Sequence, residues 1–200
     1  MSLLSGFNIT LPELSLLGEV AMAALAGGVV PVGWNVLTPQ QLGVPPQYWD
    51  GNYFTNNGAS AVVLQQGSTW IVSFRGTDGP DDIARYPELV LGTYINHFAP
   101  LLNAVASNAP DGASFYFTGV SLGGGVTNLM ANTAGSQYGG EFASAKFVAF
   151  CIAYYQHSKR HFQHRIRKRS GLQGIQWLSR FPFESRQSRV GQLGIYARQL

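Results

Sequence analysis

The sequence is poor in cysteine and in charged residues, and it has no long apolar run. Cys151 is the single cysteine among 200 residues, which excludes an intramolecular disulfide. No apolar run is long enough to span a membrane, and no lysine or arginine precedes the N-terminal apolar stretch, so the pattern of a secretory signal is missing. With 46% hydrophobic and only 12% charged residues, the chain has the composition of one globular domain with a sizeable core.

Basic residues are scarce in the first three quarters of the chain and concentrated in the last quarter. Residues 1–150 hold three basic and nine acidic residues, a formal charge of −6. Residues 151–200 hold ten basic residues and a single acid, Glu184, a formal charge of +9. Such a split is typical of a tail that binds nucleic acid or an acidic membrane. It also divides the chain into a core, residues 1–150, and a basic tail, residues 151–200.

Hydrophobic periodicity and turn residues predict alternating helices and strands in the core. Helices are predicted at residues 12–26, 94–106 and 122–134, and strands at 59–65, at 69–75, at the start of the stretch 114–125, and at 146–150. This alternation predicts an α/β fold with a mostly parallel sheet. No strand is predicted after residue 150, so we expect a sheet that is incomplete at its C-terminal end. Residues 29–58 are predicted as loop with a short helix, and the polar segment 79–92 as a surface loop or a short lid.

A glycine-rich turn around Ser121 is the strongest sign of chemistry in the sequence. Gly119-Val120-Ser121-Leu122-Gly123 matches G-x-S-x-G, the nucleophile elbow, in which a serine occupies a strained strand-to-helix turn. Gly119 and Gly123 must lack side chains to avoid a clash. The helix that follows directs free N–H groups at the serine, which favours the negative charge formed when an ester carbonyl is attacked. The predicted strand and helix on either side favour a serine nucleophile over a chance glycine turn.

A second glycine follows the predicted strand at residues 69–75. In Phe74-Arg75-Gly76-Thr77, a glycine and a hydroxyl residue at the end of a core strand suit an oxyanion hole, where a backbone N–H must approach the substrate closely. The alternative is a simple turn from strand to loop, and this stretch alone does not distinguish the two.

Three stretches occur in the same order as in class 3-type lipases. Residues 72–77 resemble the oxyanion strand of that family, residues 117–124 resemble its elbow, and residues 146–150 resemble the strand after the elbow. The likeness is strongest to the bacterial true lipases of family I.3 and the related polyurethanases, over about residues 30–150. The resemblance implies that Ser121 is the nucleophile, and that the N–H of Leu122 and the region of Thr77 form the oxyanion hole.

The resemblance also implies cofactors and a location. The reaction requires no cofactor and no metal, and calcium is implied by the family alone. Val120 stands where the family usually has histidine, and the segment that corresponds to the lid is shorter, which bears on the lid calcium site and on a preference for long-chain lipids. Family members are exported by a C-terminal signal, which implies an extracellular protein. That C-terminal region is missing from this sequence, and without it we expect a cytoplasmic protein.

The acid and the base of a catalytic triad are not evident in the sequence. This fold orders its triad as Ser, then Asp or Glu, then His. No aspartate follows Ser121, and Glu141 aligns with no acid of the family. His157, His161 and His164 follow in the tail and are stand-in candidates for the base.

The genetic code offers an explanation for the tail. Dropping the first base of a back-translation of residues 151–154 permits Ala-Ser-Pro-Thr, the family's pattern after this strand. The same shift over residues 164–178 permits Ile-Gly-Phe-Glu-Asn-Asp-Pro-Val-Phe-Lys-Ala-Phe-Asn-Gly, which is close to the family segment that carries the triad aspartate. We therefore hypothesise that residues 151–200 are translated from a shifted reading frame and pack poorly.

Two functions follow from these patterns. The first is a serine ester hydrolase, a lipase or carboxylesterase that cleaves carboxylic esters of lipids or small esters. It would contact a lipid interface transiently, would bind no nucleic acid, and would turn over slowly or not at all because its acid and base are not evident. The second is a non-catalytic, lipase-like scaffold whose basic tail binds a membrane or nucleic acid.

Overall fold

The computed structural model describes residues 8–77, 79, 86–152 and 193–198 of the chain. In these residues the helices are α1 (Leu11–Ala26), α2 (Pro39–Leu42), α3 (Tyr86–Leu91), α4 (Ala99–Asn108) and α5 (Leu122–Thr133), with 3₁₀ helices at Pro46–Tyr48, Tyr94–Phe98 and Tyr138–Gly140. The strands are β1 (Asn35–Val36), β2 (Phe54–Asn56), β3 (Ala59–Gln66), β4 (Thr69–Phe74), β5 (Ser114–Val120), β6 (Lys146–Ile152) and β7 (Leu193–Arg198). None of the described helices combines the length and the apolar character needed to cross a membrane.

Most of the elements predicted in the core are confirmed to within two residues. They are α1, the hairpin of β3 and β4, strand β5, helix α5 and strand β6. The helix predicted at residues 94–106 begins instead as the 3₁₀ helix Tyr94–Phe98 and continues as α4. Helix α3 lies inside the segment 79–92, which the sequence predicts as a loop or lid.

The strands form one mixed sheet in the order β1-β3-β4-β5-β6-β7, with β2 also paired to β3. Strands β4 and β6 are parallel to β5, and the other pairs of described strands are antiparallel. The prediction of a mostly parallel sheet is therefore wrong for these strands, because only the centre has the helical crossovers that parallel pairing needs. The prediction of no strand after residue 150 is also wrong, since β6 continues to Ile152 and β7 pairs with it.

Two-residue turns on either side of β3 produce the antiparallel part of the sheet. Asn57 and Gly58 connect β2 to β3 with φ of 52° and 82°. Positive φ at both central residues is typical of a type I′ turn, whose twist matches that of a hairpin. Gly67, with φ of 57°, opens the turn from β3 to β4. The Asn-Gly pair is a strong hairpin signal that the loop prediction for residues 29–58 missed.

Alternating side chains of β5 face two apolar layers. Phe117 points to the larger layer, where its ring centroid lies 5.1 Å from that of Phe142 and 5.2 Å from that of Phe147. Thr118 points to the opposite face, where α1 packs, and its hydroxyl donates to the Leu17 carbonyl at 3.3 Å. The central strand is thus buried on both sides, with α1 on one face and α4 and α5 on the other.

The first turn of α1 anchors the helix to the amino-terminal ends of β5 and β6. Thr10 and Glu13 form a capping box. The Glu13 carboxylate also accepts hydrogen bonds from the Tyr116 hydroxyl at 2.5 Å and from the Lys146 ammonium at 2.7 Å. Burial raises the pKa of Glu13, but the hydrogen bonds from Lys146, Tyr116 and Thr10 outweigh it and lower that pKa from 4.5 to about 2. The ionised form of Glu13 therefore stabilises the fold.

We expect Glu13→Gln to lower the free energy of unfolding by about 1–2 kcal/mol at pH 7, a figure discounted for partial solvent screening of the pair. Because folding lowers the pKa of Glu13, this stabilisation is present above pH 4.5 and is lost as the pH falls towards about 2. Urea unfolding at pH 7 and at about pH 2 measures it.

Glu19→Gln is the matched control, because Glu19 is exposed on the same helix and accepts a 3.3 Å hydrogen bond from Ser15. That variant should stay within about 0.5 kcal/mol of the parent. Equal losses in the two variants, or a Glu13→Gln loss of the same size at about pH 2, would contradict the role given to the Glu13 charge.

Candidate active site

Ser121 occupies the junction between β5 and α5 in a conformation that non-glycine residues rarely adopt. Its φ is 57° and its ψ is −118°. The Ser121 N–H donates to the Phe150 carbonyl at 2.8 Å, and the Ser121 carbonyl accepts from the Gly125 N–H at 3.1 Å. Strand β6 on one side and the first turn of α5 on the other therefore hold the backbone in this strained conformation. The side chain of Ser121 is half-buried at the carboxyl end of the parallel strands.

Gly119 and Gly123 are required by direct contact between backbone segments. A Cβ atom on Gly119 would lie 2.5 Å from the Gly123 carbonyl carbon and 2.8 Å from the Phe74 carbonyl oxygen. A Cβ atom on Gly123 would collide with the Phe74 carbonyl oxygen and would lie 2.9 Å from that of Arg75. The prediction that these two positions exclude a side chain is therefore supported by the geometry of the turn.

The end of β4 lies beside this turn. Phe74 pairs with Gly119 in the parallel register of β4 and β5. Gly76 follows so closely that a Cβ atom on it would lie 2.7 Å from the Val120 carbonyl oxygen. Gly76 and Thr77 thus leave the sheet close to Ser121, because the carboxyl ends of parallel strands lie on the same side of the sheet.

Backbone N–H groups at the start of α5 face this same edge. The first residues of an α-helix have N–H groups without intrahelical acceptors, and here Leu122 is the first of them. The helix dipole adds a partial positive charge at this end. The Leu122 side chain is buried, so the side chain packs in the core while the N–H belongs to the turn. Val120, where the resembling family usually has histidine, is also buried.

Helix α3 makes two contacts near the Ser121 turn that the sequence did not predict. The Thr77 hydroxyl lies 3.3 Å from the Tyr86 hydroxyl at the start of α3. Further along α3, Leu89 packs on Gly125, where a Cβ atom would lie 2.6 Å from the Leu89 side chain. Both contacts join residues that are nine or more positions apart in sequence, and no periodic pattern reports such pairs.

His97 is the one histidine within the described residues, and it is paired with a carboxylate. Its Nε2 lies 2.6 Å from Glu88 Oε2, and both side chains are partly buried. An ionised carboxylate only accepts hydrogen bonds, so Nε2 is the donor when Glu88 is ionised. No pattern in the sequence indicated Glu88 as the partner of His97.

Other candidate residues lie outside the described part of the chain. They are the three stand-in bases of the tail: His157, His161 and His164. Among the described residues, no group of three or more His, Cys, Asp or Glu side chains lies close enough together to hold a metal ion.

We expect Gly119→Ala to cost about 3 kcal/mol or more of unfolding free energy, because the atoms that its Cβ would meet are backbone and cannot rotate away. Urea unfolding of the two variants Gly119→Ala and Gly135→Ala measures the difference. Gly135 is the control, since a Cβ atom there would meet nothing within 4 Å. Equal stability of the two variants would contradict the close approach of β4 to the turn.

Comparison with solved structures relates the fold of the described residues to that of a lipase. No protein-family model and no curated protein matches the chain. The extracellular lipase LipA from Serratia marcescens matches it with a TM-score of 0.53 at 26% sequence identity, over 63% of this chain and 26% of LipA. A fungal lipase solved with an inhibitor matches with a TM-score of 0.44 at 13% identity, over 64% of this chain and 56% of that one. The chain thus spans about a quarter of the length of LipA, and its described part has a lipase-like fold of the α/β-hydrolase type.

Proposed function

We propose that the chain carries the nucleophilic half of a serine ester hydrolase, with Ser121 as the nucleophile. The observation that carries this proposal is the strained backbone of Ser121, at φ 57°, between a buried strand and the N-terminus of α5. Strain of this kind persists only where the surroundings enforce it. Here Gly119 and Gly123 allow the backbone segments around Ser121 to pack closely enough to enforce it. Such a backbone is typical of a nucleophile elbow, which supports the proposal.

In the proposed reaction, the Ser121 hydroxyl oxygen bonds to the carbonyl carbon of an ester. A base takes the hydroxyl proton and then gives it to the departing alcohol, and water releases the acyl group from the serine in the second half. The N–H of Leu122 and the backbone near Thr77 would hold the oxyanion. Both belong to segments that leave the sheet at the edge occupied by Ser121, which supports this assignment.

The base is proposed among His157, His161 and His164. His97 is a weaker candidate, because its Nε2 is engaged with Glu88. A serine hydroxyl without an aligned base is a poor nucleophile, but an oxyanion hole and substrate binding alone leave roughly a thousandfold acceleration over water. We therefore expect Ser121 to react with a strong electrophile and to turn over esters slowly.

The proposed substrates are carboxylic esters of lipids or small alcohols. LipA, which shares 26% of its aligned residues with this chain, is a lipase by name. Helix α3, which contacts Thr77, also exposes two large apolar side chains, Val90 at 65% and Leu91 at 76%. An apolar surface beside the proposed site supports transient contact with a lipid interface.

The test is covalent labelling together with turnover. We expect a fluorophosphonate probe to label the full chain at a single serine, and we expect Ser121→Ala to abolish the labelling. A p-nitrophenyl ester should be hydrolysed slowly, and the same substitution should remove at least about 90% of that rate. Ser136→Ala is the control, because Ser136 is exposed beyond the end of α5 and its hydroxyl donates to the Thr133 carbonyl at 3.2 Å.

Each outcome separates the alternatives. Labelling that survives Ser121→Ala would overturn the nucleophile assignment. Fast hydrolysis that depends on Ser121 would refute the slow-turnover expectation and would direct single His→Gln substitutions to His157, His161 and His164. Binding to DNA or anionic vesicles that weakens with salt, in a chain that the probe does not label, would favour the non-catalytic scaffold.

We also propose that residues 151–200 arise from a shifted reading frame of a lipase gene related to family I.3. This accounts for the change in charge after residue 150 and for the missing acid and base together. The coding DNA across codons 148–155 and 164–178 tests it. We expect the shifted frame to stay open and to encode an aspartate in the second region, and an early stop codon in that frame would overturn the proposal.

A further inference from the structure

Helix α3 is attached to three neighbours around the proposed site. Its first residue, Tyr86, meets the Thr77 hydroxyl at 3.3 Å. Glu88 pairs with His97 at 2.6 Å. Leu89 packs against Gly125 in the first turns of α5.

The segment that Tyr86 contacts loses its sheet partners just before Thr77. The Arg75 N–H still donates to the Ser60 carbonyl at 2.8 Å, and Gly76 is confined by the Val120 carbonyl. Thr77 is the next residue, and its side-chain hydroxyl contacts the hydroxyl of Tyr86. The position of an oxyanion donor must be fixed to within a fraction of an ångström, so whatever holds Thr77 affects catalysis.

Helix α3 can fix Tyr86 only if it is itself held in place. With six residues it is too short to be stable by itself, so its position depends on tertiary contacts. The Glu88–His97 pair supplies one anchor, and His97 is held in turn by the Asn56 side-chain amide, which donates to the His97 carbonyl at 2.8 Å. The packing of Leu89 on Gly125 supplies a second anchor.

We propose that Tyr86 is a positioning residue for the oxyanion segment, and that Glu88 and His97 anchor the helix that carries it. The proposal rests on the proposed function of Ser121 and Thr77. Tyr86 acts through Thr77 and does not touch the substrate. The three contacts of α3 thus form a clasp, Tyr86–Thr77, Glu88–His97 and Leu89–Gly125, that keeps the oxyanion segment against the turn.

The kinetic test uses Tyr86→Phe in the full chain, which removes one hydroxyl and keeps the ring. We expect kcat for a p-nitrophenyl ester to fall about tenfold with KM within about twofold. The effect is moderate because the 3.3 Å contact is long for a hydrogen bond between hydroxyl groups. Thr77→Val combined with Tyr86→Phe should be no slower than Thr77→Val alone, because the tyrosine acts through the threonine.

Tyr138→Phe is the matched control. Tyr138 is a half-buried tyrosine that packs on Phe142, beyond the end of α5. Its variant should keep the parent rate. A Tyr86→Phe rate equal to that of Tyr138→Phe, or a double variant slower by the product of the two single effects, would overturn the positioning role.

A second measurement does not depend on activity. Amide hydrogen exchange at Gly76 and Thr77 should become at least about fivefold faster in Tyr86→Phe and in Glu88→Gln, and should be unchanged in Tyr138→Phe. Unchanged exchange in the first two variants would overturn the clasp. If the parent chain neither hydrolyses esters nor reacts with the fluorophosphonate, the proposed function fails, while the exchange data still decide whether α3 holds Thr77.

Discussion

The contact between the Ser121 turn and the end of β4 is the constraint on which the rest of the site depends. Gly119 and Gly123 let two backbone segments approach to a distance at which a single methyl group would not fit. The approach occurs in the parallel register of β4 and β5, in which Phe74 lies opposite Gly119. The strained backbone of Ser121 follows from it, because the chain must leave a strand and enter a helix within one residue.

The two halves of the sheet have different tasks. The parallel centre, β4-β5-β6, brings three carboxyl ends to one edge, and the candidate site lies on that edge. The antiparallel part of the sheet has tight turns on either side of β3. It contributes the Ser60 carbonyl, which accepts a hydrogen bond from the Arg75 N–H just before the candidate site. Helix α3 lies outside both halves and contacts the residues around the site through its side chains. It therefore affects the position of those residues and does not build the sheet.

Structural features that depend on neighbouring residues could be predicted from the sequence. Features that depend on contacts between distant residues could not. The capping box of Thr10 and Glu13 and the glycine spacing around Ser121 act within a few residues, so α1 and the turn could be predicted. The Asn57-Gly58 turn is equally local, but the loop prediction for residues 29–58 does not include it. The Glu88–His97 pair could not be predicted, because it joins two short helices whose relative placement depends on the packing of α3 against α5. The antiparallel edges were missed because alternation of helices and strands in the core does not report how the outer strands pair.

Helix α1 contacts the sheet at both ends of its parallel strands. Glu13, near its start, binds the amino-terminal ends of β5 and β6, and Leu25, near its end, lies against Gly76 beside the candidate site. Its 16 residues rise ~24 Å, and the seven residues of β5 extend ~23 Å, so helix and strand are matched in length. Deleting one residue between Glu13 and Leu25 would rotate one end by ~100° relative to the other. The number of residues between Glu13 and Leu25 is therefore set by the length of the central strands, because contacts at both ends of those strands hold the helix.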